Sequence, residues 1–234
     1  MAYYYSSNPG GFWRNLPVVT KNIVIINVFM LLFTKLRPEF MMSNFALFYP
    51  TSQYFHWWQP VTHMFMHGGF THLFFNMFTL LMFGTALERQ WGSKKYLLFY
   101  FVTGLGAAAI HMGVMWLQIK YQMGQIGSEA ALSSAAMHSI QLIKNTPTVG
   151  ASGAIYGLLM GYAMLYPESR MTLLFPPITL SAKWWVGIFF VIELLTGVFG
   201  SGGGVAHFAH LGGMIFAFVL VKIWKKKGRM YDYE

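Results

Sequence analysis

Hydrophobic residues along the chain are gathered into six long segments, and most charged residues lie in the stretches between them. The segments run from about Asn22 to Leu36, Phe70 to Leu87, Lys95 to Leu117, Thr148 to Leu165, Ala182 to Phe199 and Gly204 to Trp224. Most of them are close to the ~20 residues that a helix needs to cross ~30 Å of hydrocarbon. The pattern therefore predicts an all-α membrane protein built as a bundle of six transmembrane helices.

The composition favours a membrane protein and excludes several kinds of site. Hydrophobic residues make up 56% of the 234 residues and charged residues only 10%, against roughly 25% charged residues in ordinary soluble domains. So few charges cannot cover the surface of a soluble protein of this size. The chain has no cysteine, which excludes disulfide frameworks, zinc–thiolate sites, iron–sulfur clusters and cysteine nucleophiles.

The positive charges predict how the helices are oriented. The formal net charge is +9, and in a membrane protein this balance reports topology rather than a nucleic-acid partner. If both termini are cytoplasmic, 12 of the 16 Lys and Arg residues lie inside. The four outside are Lys35, Arg37, Lys120 and Lys144. We expect a cytoplasmic segment at 1–21, a membrane domain at 22–224 and a basic cytoplasmic tail at 225–234, in a bacterial inner membrane.

Two outer loops are long. The first, Arg37 to Gly69, contains the nearly uncharged aromatic run Tyr54 to Trp58, which predicts a loop that lies in the membrane interface. The second, Gln118 to Pro147, contains the run 127–138, which predicts a short interfacial helix or a lid. The chain shows no internal repeat of comparable halves, and this argues against a channel or transporter.

Polar residues inside the predicted spans mark the candidate site, because such residues are costly in hydrocarbon and are often functional. His72 and Asn76 are four residues apart and share one face of the second span. Ser152 lies about four residues into the fourth span, and His210 about six residues into the sixth. Even-numbered spans begin on the outer side, so both residues lie roughly 6–9 Å below the outer surface and can meet.

A serine and a histidine at one depth predict nucleophilic catalysis. The hydroxyl becomes a nucleophile when an imidazole takes its proton, and the oxyanion that forms needs donors such as His, Asn or a backbone N–H. The sole aspartate, Asp232, is in the tail, and we expect Glu193, the only acidic residue inside a span, to be out of reach of His210. The sequence therefore predicts a Ser152–His210 dyad without a third member.

The pattern of the sixth span favours His210 over His207 as the base. At 100° per residue, four small residues fall on one narrow face where another helix approaches closely. These residues are Gly203, Ala206, Gly213 and Ala217. His210 lies near the centre of that face, whereas His207 lies to one side and nearer the outer surface. We expect Ser152 to meet His210, with His207 as a neighbour that shapes or solvates the pocket.

Packing without chemistry is one alternative. Ser, His and Asn side chains also form hydrogen bonds that only hold helices together. Gly153, Gly157 and Gly161 form a row of small residues that favours close packing of the fourth span. Tyr156 lies one turn below Ser152, where it either stacks on an imidazole or fills space.

Metal binding is another alternative. His63 and His67 have the i,i+4 spacing of metal ligands, and His72 is close by. However, no carboxylate lies nearby and no His-Glu-x-x-His motif occurs. We therefore expect no metal and no cofactor. Three further histidines are expected to be interfacial or loop residues without chemistry, namely His56, His111 and His138.

Several short motifs resemble those of the rhomboid intramembrane serine proteases. Gly150-Ala151-Ser152-Gly153 resembles their Gly-x-Ser-Gly motif, and His72 to Asn76 their His-x-x-x-Asn motif. Ala209 to Gly213 resembles their Ala-His-x-x-Gly motif, and Glu88 to Gly92 their Glu-x-x-x-Gly element. The resemblance covers about Trp58 to Trp224.

The resemblance implies a six-helix rhomboid fold and an endopeptidase that cleaves transmembrane protein substrates near the outer membrane face. Ser152 would be the nucleophile and His210 the general base, while His72, Asn76 and the backbone N–H of Ser152 would hold the oxyanion. Tyr156 matches the family tyrosine that packs beside the catalytic histidine.

One departure and one rival interpretation accompany the resemblance. Trp58-Gln59 stands where the first outer loop of the family often carries Trp-Arg. The rival is a non-catalytic rhomboid-like protein that binds membrane clients. Such relatives typically lack the serine or the histidine, and this chain has both.

Overall fold

The computed structural model describes residues 11–124, 130–173, 177–200 and 204–228. The helices in these ranges are α1 Val18–Leu36, α2 Pro38–Phe45, α3 Gln59–Thr62, α4 Phe70–Thr79, α5 Thr85–Trp91, α6 Ser93–Gly124, α7 Ala130–Asn145, α8 Ser152–Leu165, α9 Ala182–Phe199 and α10 Gly204–Lys226. A 3-10 turn at His63–Phe65 follows α3, and a π-helical turn at Leu80–Gly84 joins α4 to α5. Strands β1 Arg170–Thr172 and β2 Thr179–Ser181 form an antiparallel hairpin.

Some positions used in the predictions lie outside the described residues. They are Gly203, Asp232, residues 127–129 of the second outer loop, and the ends of the predicted segments 1–21 and 225–234.

Five helices within the described ranges are long and apolar enough to cross a membrane. They are Val18–Leu36, Phe70–Trp91, Ser93–Gly124, Ala182–Phe199 and Ala206–Lys226. The fourth predicted segment forms the shorter apolar helix α8, which has 14 residues. The prediction that this helix begins at Thr148 is wrong. Thr148 instead pairs with Leu47, and Gly150 has a φ of +140°, which glycine tolerates and which breaks the helix before Ser152.

Helix α8 packs against both α6 and α10, and small residues allow the close approach. A Cβ added to Gly153 would lie 2.4 Å from the Cβ of Ala107, and one added to Gly157 would lie 2.6 Å from the Cβ of Thr103. Both partners belong to α6. The row of glycines is therefore a packing surface, as the spacing predicts.

Gly213 on α10 approaches the backbone of α8 so closely that its substitution should be severe. An added Cβ would lie 1.9 Å from the carbonyl oxygen of Gly153. Because this neighbour is backbone, Gly213→Ala is expected to lower the free energy of unfolding by about 3 kcal/mol or to prevent folding. Gly113→Ala on α6 is the matched control. Its Cβ would have no heavy atom within 4 Å, and alanine favours a helix by ~1 kcal/mol.

Thermal unfolding of the two variants in detergent tests this packing. The account predicts a large drop in melting temperature for Gly213→Ala and none for Gly113→Ala. Equal melting of both variants would contradict the packing of α10 on α8.

Glu88 joins the second apolar helix to the start of α1. Its buried carboxylate accepts hydrogen bonds from the backbone N–H groups of Val19 and Thr20 at 2.9 and 2.7 Å, and from Ser93 Oγ at 2.7 Å. The first N–H groups of a helix lack intrahelical partners, and a negative charge there is favourable. Gly92 then turns the chain into α6 with a φ of +74°. These contacts give the Glu-x-x-x-Gly element a structural role.

Gln59 anchors the first outer loop from a fully buried position. Its Nε2 donates to the carbonyl oxygens of Ser43 and Tyr54 at 3.2 and 2.8 Å, and its Oε1 accepts from the Phe48 N–H at 3.3 Å. A buried amide with both ends satisfied holds three points of the loop together. The glutamine therefore fixes the loop where the family pattern often has arginine.

Candidate active site

Ser152 is the first residue of α8 and follows directly on the turn at Gly150. The Gly150 N–H donates to the His63 carbonyl oxygen at 3.0 Å, and the pairing of Thr148 with Leu47 fixes the extended approach to the serine. The first N–H groups of a helix have no partner inside it and carry a partial positive charge. The serine hydroxyl thus lies beside backbone donors suited to an anion.

His210 on α10 lies against this serine. Its Nε2 is 2.9 Å from Ser152 Oγ, which is a hydrogen-bond distance. His207, one turn earlier, directs its Nδ1 to Glu193 Oε2 at 2.6 Å. The structure thus brings His210 to the serine and leaves His207 beside the pair, as the arrangement of small residues on this helix predicts.

Tyr156, one turn below Ser152, lies flat on the imidazole of His210. The two ring centroids are 4.2 Å apart and the planes differ by only 7°. The tyrosine hydroxyl donates a hydrogen bond to Glu193 Oε1. Of the two sequence-based alternatives for Tyr156, the structure has stacking, which fixes the plane of the histidine ring.

His72 on α4 borders the same space as the serine hydroxyl. A Cβ added to Gly150 would meet the His72 ring at 3.0 Å and Ser152 Oγ at 3.4 Å. Asn76, one turn further along α4, is buried, and its Nδ2 lies 3.0 Å from His67 Nε2. The structure therefore places His72 next to the serine and holds Asn76 against a second histidine.

Two histidines before α4 support the site although the sequence suggested them only as metal ligands. His67 is fully buried, its ring packs edge-on against His72 with centroids 4.9 Å apart, and its Nε2 bonds Asn76. His63 Nδ1 donates to the Gln59 carbonyl oxygen at 3.0 Å. Burial lowers the pKa of His63 to about 4 and that of His67 to about 3, so both are neutral at pH 7. Both rings already have protein partners.

The expectation that His111 is interfacial or in a loop is wrong. It is buried in α6, and its Nε2 lies 2.7 Å from Thr148 Oγ1. A small cavity beside Ser152 is lined by His63, His111 and Thr148 together with apolar side chains. The long apolar α6 gave no sign of which of its faces is buried, so hydropathy alone could not place this histidine.

The structure also contradicts the prediction that no carboxylate reaches His210. Glu193 Oε2 lies 3.1 Å from His210 Nδ1, and the glutamate side chain is only 8% exposed. Glu193 is six residues before the end of α9, and His210 is six residues after the start of α10. Each residue is therefore roughly 9 Å from the end of its helix that adjoins the other helix in the chain. A depth estimate confined to even-numbered spans misses this carboxylate.

Sequence comparison extends the motif resemblance to most of the chain. A model of the Rhomboid domain matches residues 54–227. The chain belongs to the rhomboid family. The matched range contains the serine, the histidines and the glutamate of the site, so the geometry described above is that of a rhomboid domain.

Individual relatives of this rhomboid align over most of its length. It is 29% identical to Rhomboid protease AarA of Providencia stuartii over 184 residues, which is 74% of this chain and 59% of that relative. It is 28% identical to Rhomboid protease GlpG of Yersinia pestis over 184 residues, or 78% and 53%. RHOMBOID-like protein 4 of Arabidopsis thaliana is 27% identical over 165 residues, or 70% and 33%. The chain thus spans about one third to three fifths of the length of these relatives.

Proposed function

We propose that this rhomboid is an intramembrane serine endopeptidase that cleaves transmembrane protein substrates near the outer membrane face. The observation that carries the proposal is the 2.9 Å contact between Ser152 Oγ and His210 Nε2, made between apolar helices. The names of AarA and GlpG, which call these relatives rhomboid proteases, support the same activity. The proposed chemistry uses neither a metal nor a cofactor.

The proposed reaction is acyl transfer through the serine. Ser152 Oγ attacks the carbonyl carbon of the scissile bond and passes its proton to His210 Nε2. The C–N bond then breaks, and the imidazolium gives its proton to the leaving amine. Water attacks the acyl-enzyme by the same route and restores the free serine. Tyr156 keeps the imidazole plane fixed throughout by stacking on it.

We propose His72, Asn76 and the Ser152 backbone N–H as the groups that hold the oxyanion. Such donors act only when charge develops. His72→Ala and Asn76→Ala are therefore each expected to lower kcat by about 10²-fold and to leave KM within about threefold. Initial rates over a range of substrate concentrations measure both constants. Thr79→Ala on the same helix, whose exposed hydroxyl bonds the Phe75 carbonyl oxygen, should behave as wild type.

One result would contradict the assignment of His72 and Asn76 as oxyanion donors. If both His72→Ala and Asn76→Ala keep the wild-type kcat, the two side chains are interhelical hydrogen bonds without a part in the chemistry.

We propose six transmembrane helices with both termini in the cytoplasm, α8 being the fourth. The uneven distribution of Lys and Arg supports this orientation. It places the starts of α8 and α10 at the outer face, and with them the serine and the histidine. A bacterial inner membrane is the proposed location, which the bacterial sources of AarA and GlpG support.

The site also suggests which substrates are cleaved. A carbonyl inside a hydrogen-bonded transmembrane helix is shielded from attack, so the cleaved segment must unwind locally. Glycine or proline near the cut is therefore expected to promote cleavage. Replacing these residues by leucine in a cleaved substrate should lower the initial rate by about tenfold, since glycine costs a helix ~1 kcal/mol and proline ~3 kcal/mol. Faster cleavage of the stiffened substrate would contradict local unwinding.

The proposed function is tested by incubating the purified full-length protein in lipid with a panel of transmembrane substrates. Mass spectrometry of the products locates each cut, and the Ser152→Ala variant is the control. We expect cuts near the outer end of the substrate helix with wild type and none with the variant. Binding of these substrates without cleavage would instead favour the alternative of a non-catalytic client-binding rhomboid.

A further inference from the structure

Glu193 is a buried carboxylate that the proposed reaction does not use. It lies on the apolar helix α9, and three side chains face it. His207 Nδ1 bonds its Oε2 at 2.6 Å, the Tyr156 hydroxyl donates to its Oε1, and His210 Nδ1 lies 3.1 Å from Oε2. A carboxylate buried among apolar helices is costly unless such partners satisfy it. One of these partners is the proposed general base His210, and another, Tyr156, stacks on its ring.

We infer that Glu193 is a positioning residue that orients His210 toward Ser152 and makes the pair a three-membered system. The inference rests on the proposed serine protease activity. It replaces the dyad that the sequence predicts. The sequence missed Glu193 because this residue lies on a helix that neither the Gly-x-Ser-Gly motif nor the Ala-His-x-x-Gly motif includes.

Glu193 affects the position of the proton on the neutral ring of His210. A neutral imidazole carries one N–H and one lone pair. With the proton on Nδ1, the N–H group lies 3.1 Å from Glu193 Oε2, which is an ion-pair distance, and the Nε2 lone pair faces the Ser152 hydroxyl at 2.9 Å. The opposite tautomer would set the Nδ1 lone pair against a carboxylate oxygen and leave Nε2 unable to accept the serine proton. Glu193 therefore favours the reactive tautomer.

His210 Nδ1 is the ring nitrogen that faces away from the serine. This atom is buried and makes no hydrogen bond of good direction within the described residues. Buried ring nitrogens are nearly always satisfied, and Glu193 Oε2 is at ion-pair distance from it. Catalytic hydrogen bonds are often misaligned before substrate binds and tighten during the reaction. When His210 takes the serine proton, the charged ring is drawn to the carboxylate.

The carboxylate of Glu193 is itself held in place. His207 comes from one turn earlier on α10, and Tyr156 comes from α8, so Glu193 is held to both helices that carry the reacting pair. A carboxylate held in this way loses little freedom on pairing with His210. His207 is thus expected to act on the reaction through Glu193, and not by touching the serine.

Kinetics of a fluorophosphonate probe test the inference without a known substrate. The first-order inactivation constant is expected to fall by about 10²-fold in Glu193→Gln, with the binding constant of the probe within about twofold of wild type. The expected loss is smaller than the ~10⁴-fold that follows loss of the aspartate charge in soluble triads, because Oε2 also accepts from His207. Glu168→Gln, at an exposed glutamate, is the matched control and should react as wild type.

The two claims fail in different ways. A wild-type protein that the probe does not label at Ser152 would remove the proposed function. Labelling of wild type together with an unchanged inactivation constant in Glu193→Gln would overturn only the inference about Glu193. In a third outcome, fewer Glu193→Gln molecules react with the probe, but those that do react at the wild-type rate. This outcome would also overturn the inference about Glu193 and leave the residue a structural link between helices.

Nuclear magnetic resonance of wild-type protein labelled with ¹⁵N-histidine keeps the inference testable even if Glu193→Gln does not fold. The signals of His210 are identified by their loss in His210→Ala. The inference predicts a neutral ring protonated at Nδ1. A neutral ring protonated at Nε2 would overturn it, and so would coordination of a cation by His207, His210 and Glu193, whose ligand atoms lie within 4.8 Å of one another.

Discussion

Replacing Ser152 by alanine is expected to lower the rate of substrate cleavage by at least about 10⁴-fold, because no other group supplies the attacking oxygen. The change removes one oxygen at the start of α8 and leaves the helix packing intact. The rate of product formation in detergent measures the effect. Ser134→Ala, at an exposed position of α7, is the matched control and should cleave at the wild-type rate.

The expected loss has meaning only if the variant folds. Ser152→Ala should therefore melt within a few degrees of wild type. Cleavage by a folded Ser152→Ala at more than a hundredth of the wild-type rate would show that the nucleophile is elsewhere.

The second large effect is expected from His210→Ala, which should lower cleavage by about as much as Ser152→Ala, since the serine then lacks a base. His207→Ala offers a matched control on the same helix, one turn away. Its Nδ1 bonds Glu193 at 2.6 Å, whereas His210 Nε2 lies 2.9 Å from the serine oxygen. We expect His207→Ala to weaken cleavage by only about tenfold, because it acts through the carboxylate.

The comparison of the two histidines is decided by cleavage and by fluorophosphonate labelling together. Both readouts should be lost in His210→Ala and only reduced in His207→Ala. The reverse pattern would assign the base to His207 and would require α10 to be turned from its position in the structure.

Much of the helical architecture could be predicted from hydropathy, because the thickness of a bilayer constrains the length of each span. The predicted segment Ala182 to Phe199 coincides with α9. The start of α8 could not be predicted in this way. It is set by the backbone at Gly150 and by the pairing of Thr148 with Leu47, and neither feature changes the hydropathy of the segment.

The contact between Ser152 and His210 could be predicted because both residues lie near the starts of helices that are expected to run in the same direction, although Ser152 is the first residue of α8 and not four residues into it. Glu193 could be placed by counting residues along α9, but a single glutamate in an apolar run does not show which neighbour it faces. The roles of His67 and His111 depend on side-chain contacts with Asn76 and Thr148. Such contacts join residues 9 and 37 positions apart, and neither separation is a helical repeat that spacing alone would reveal.

The central claim is that His210 activates Ser152 inside this rhomboid domain, and mapping the adduct of a fluorophosphonate probe tests it most directly. The wild-type protein in lipid is labelled, digested and sequenced by mass spectrometry. The account predicts one adduct on Ser152, with no labelling of Ser152→Ala or His210→Ala. Equal labelling of wild type and Ser152→Ala, or an adduct on another residue, would contradict the claim.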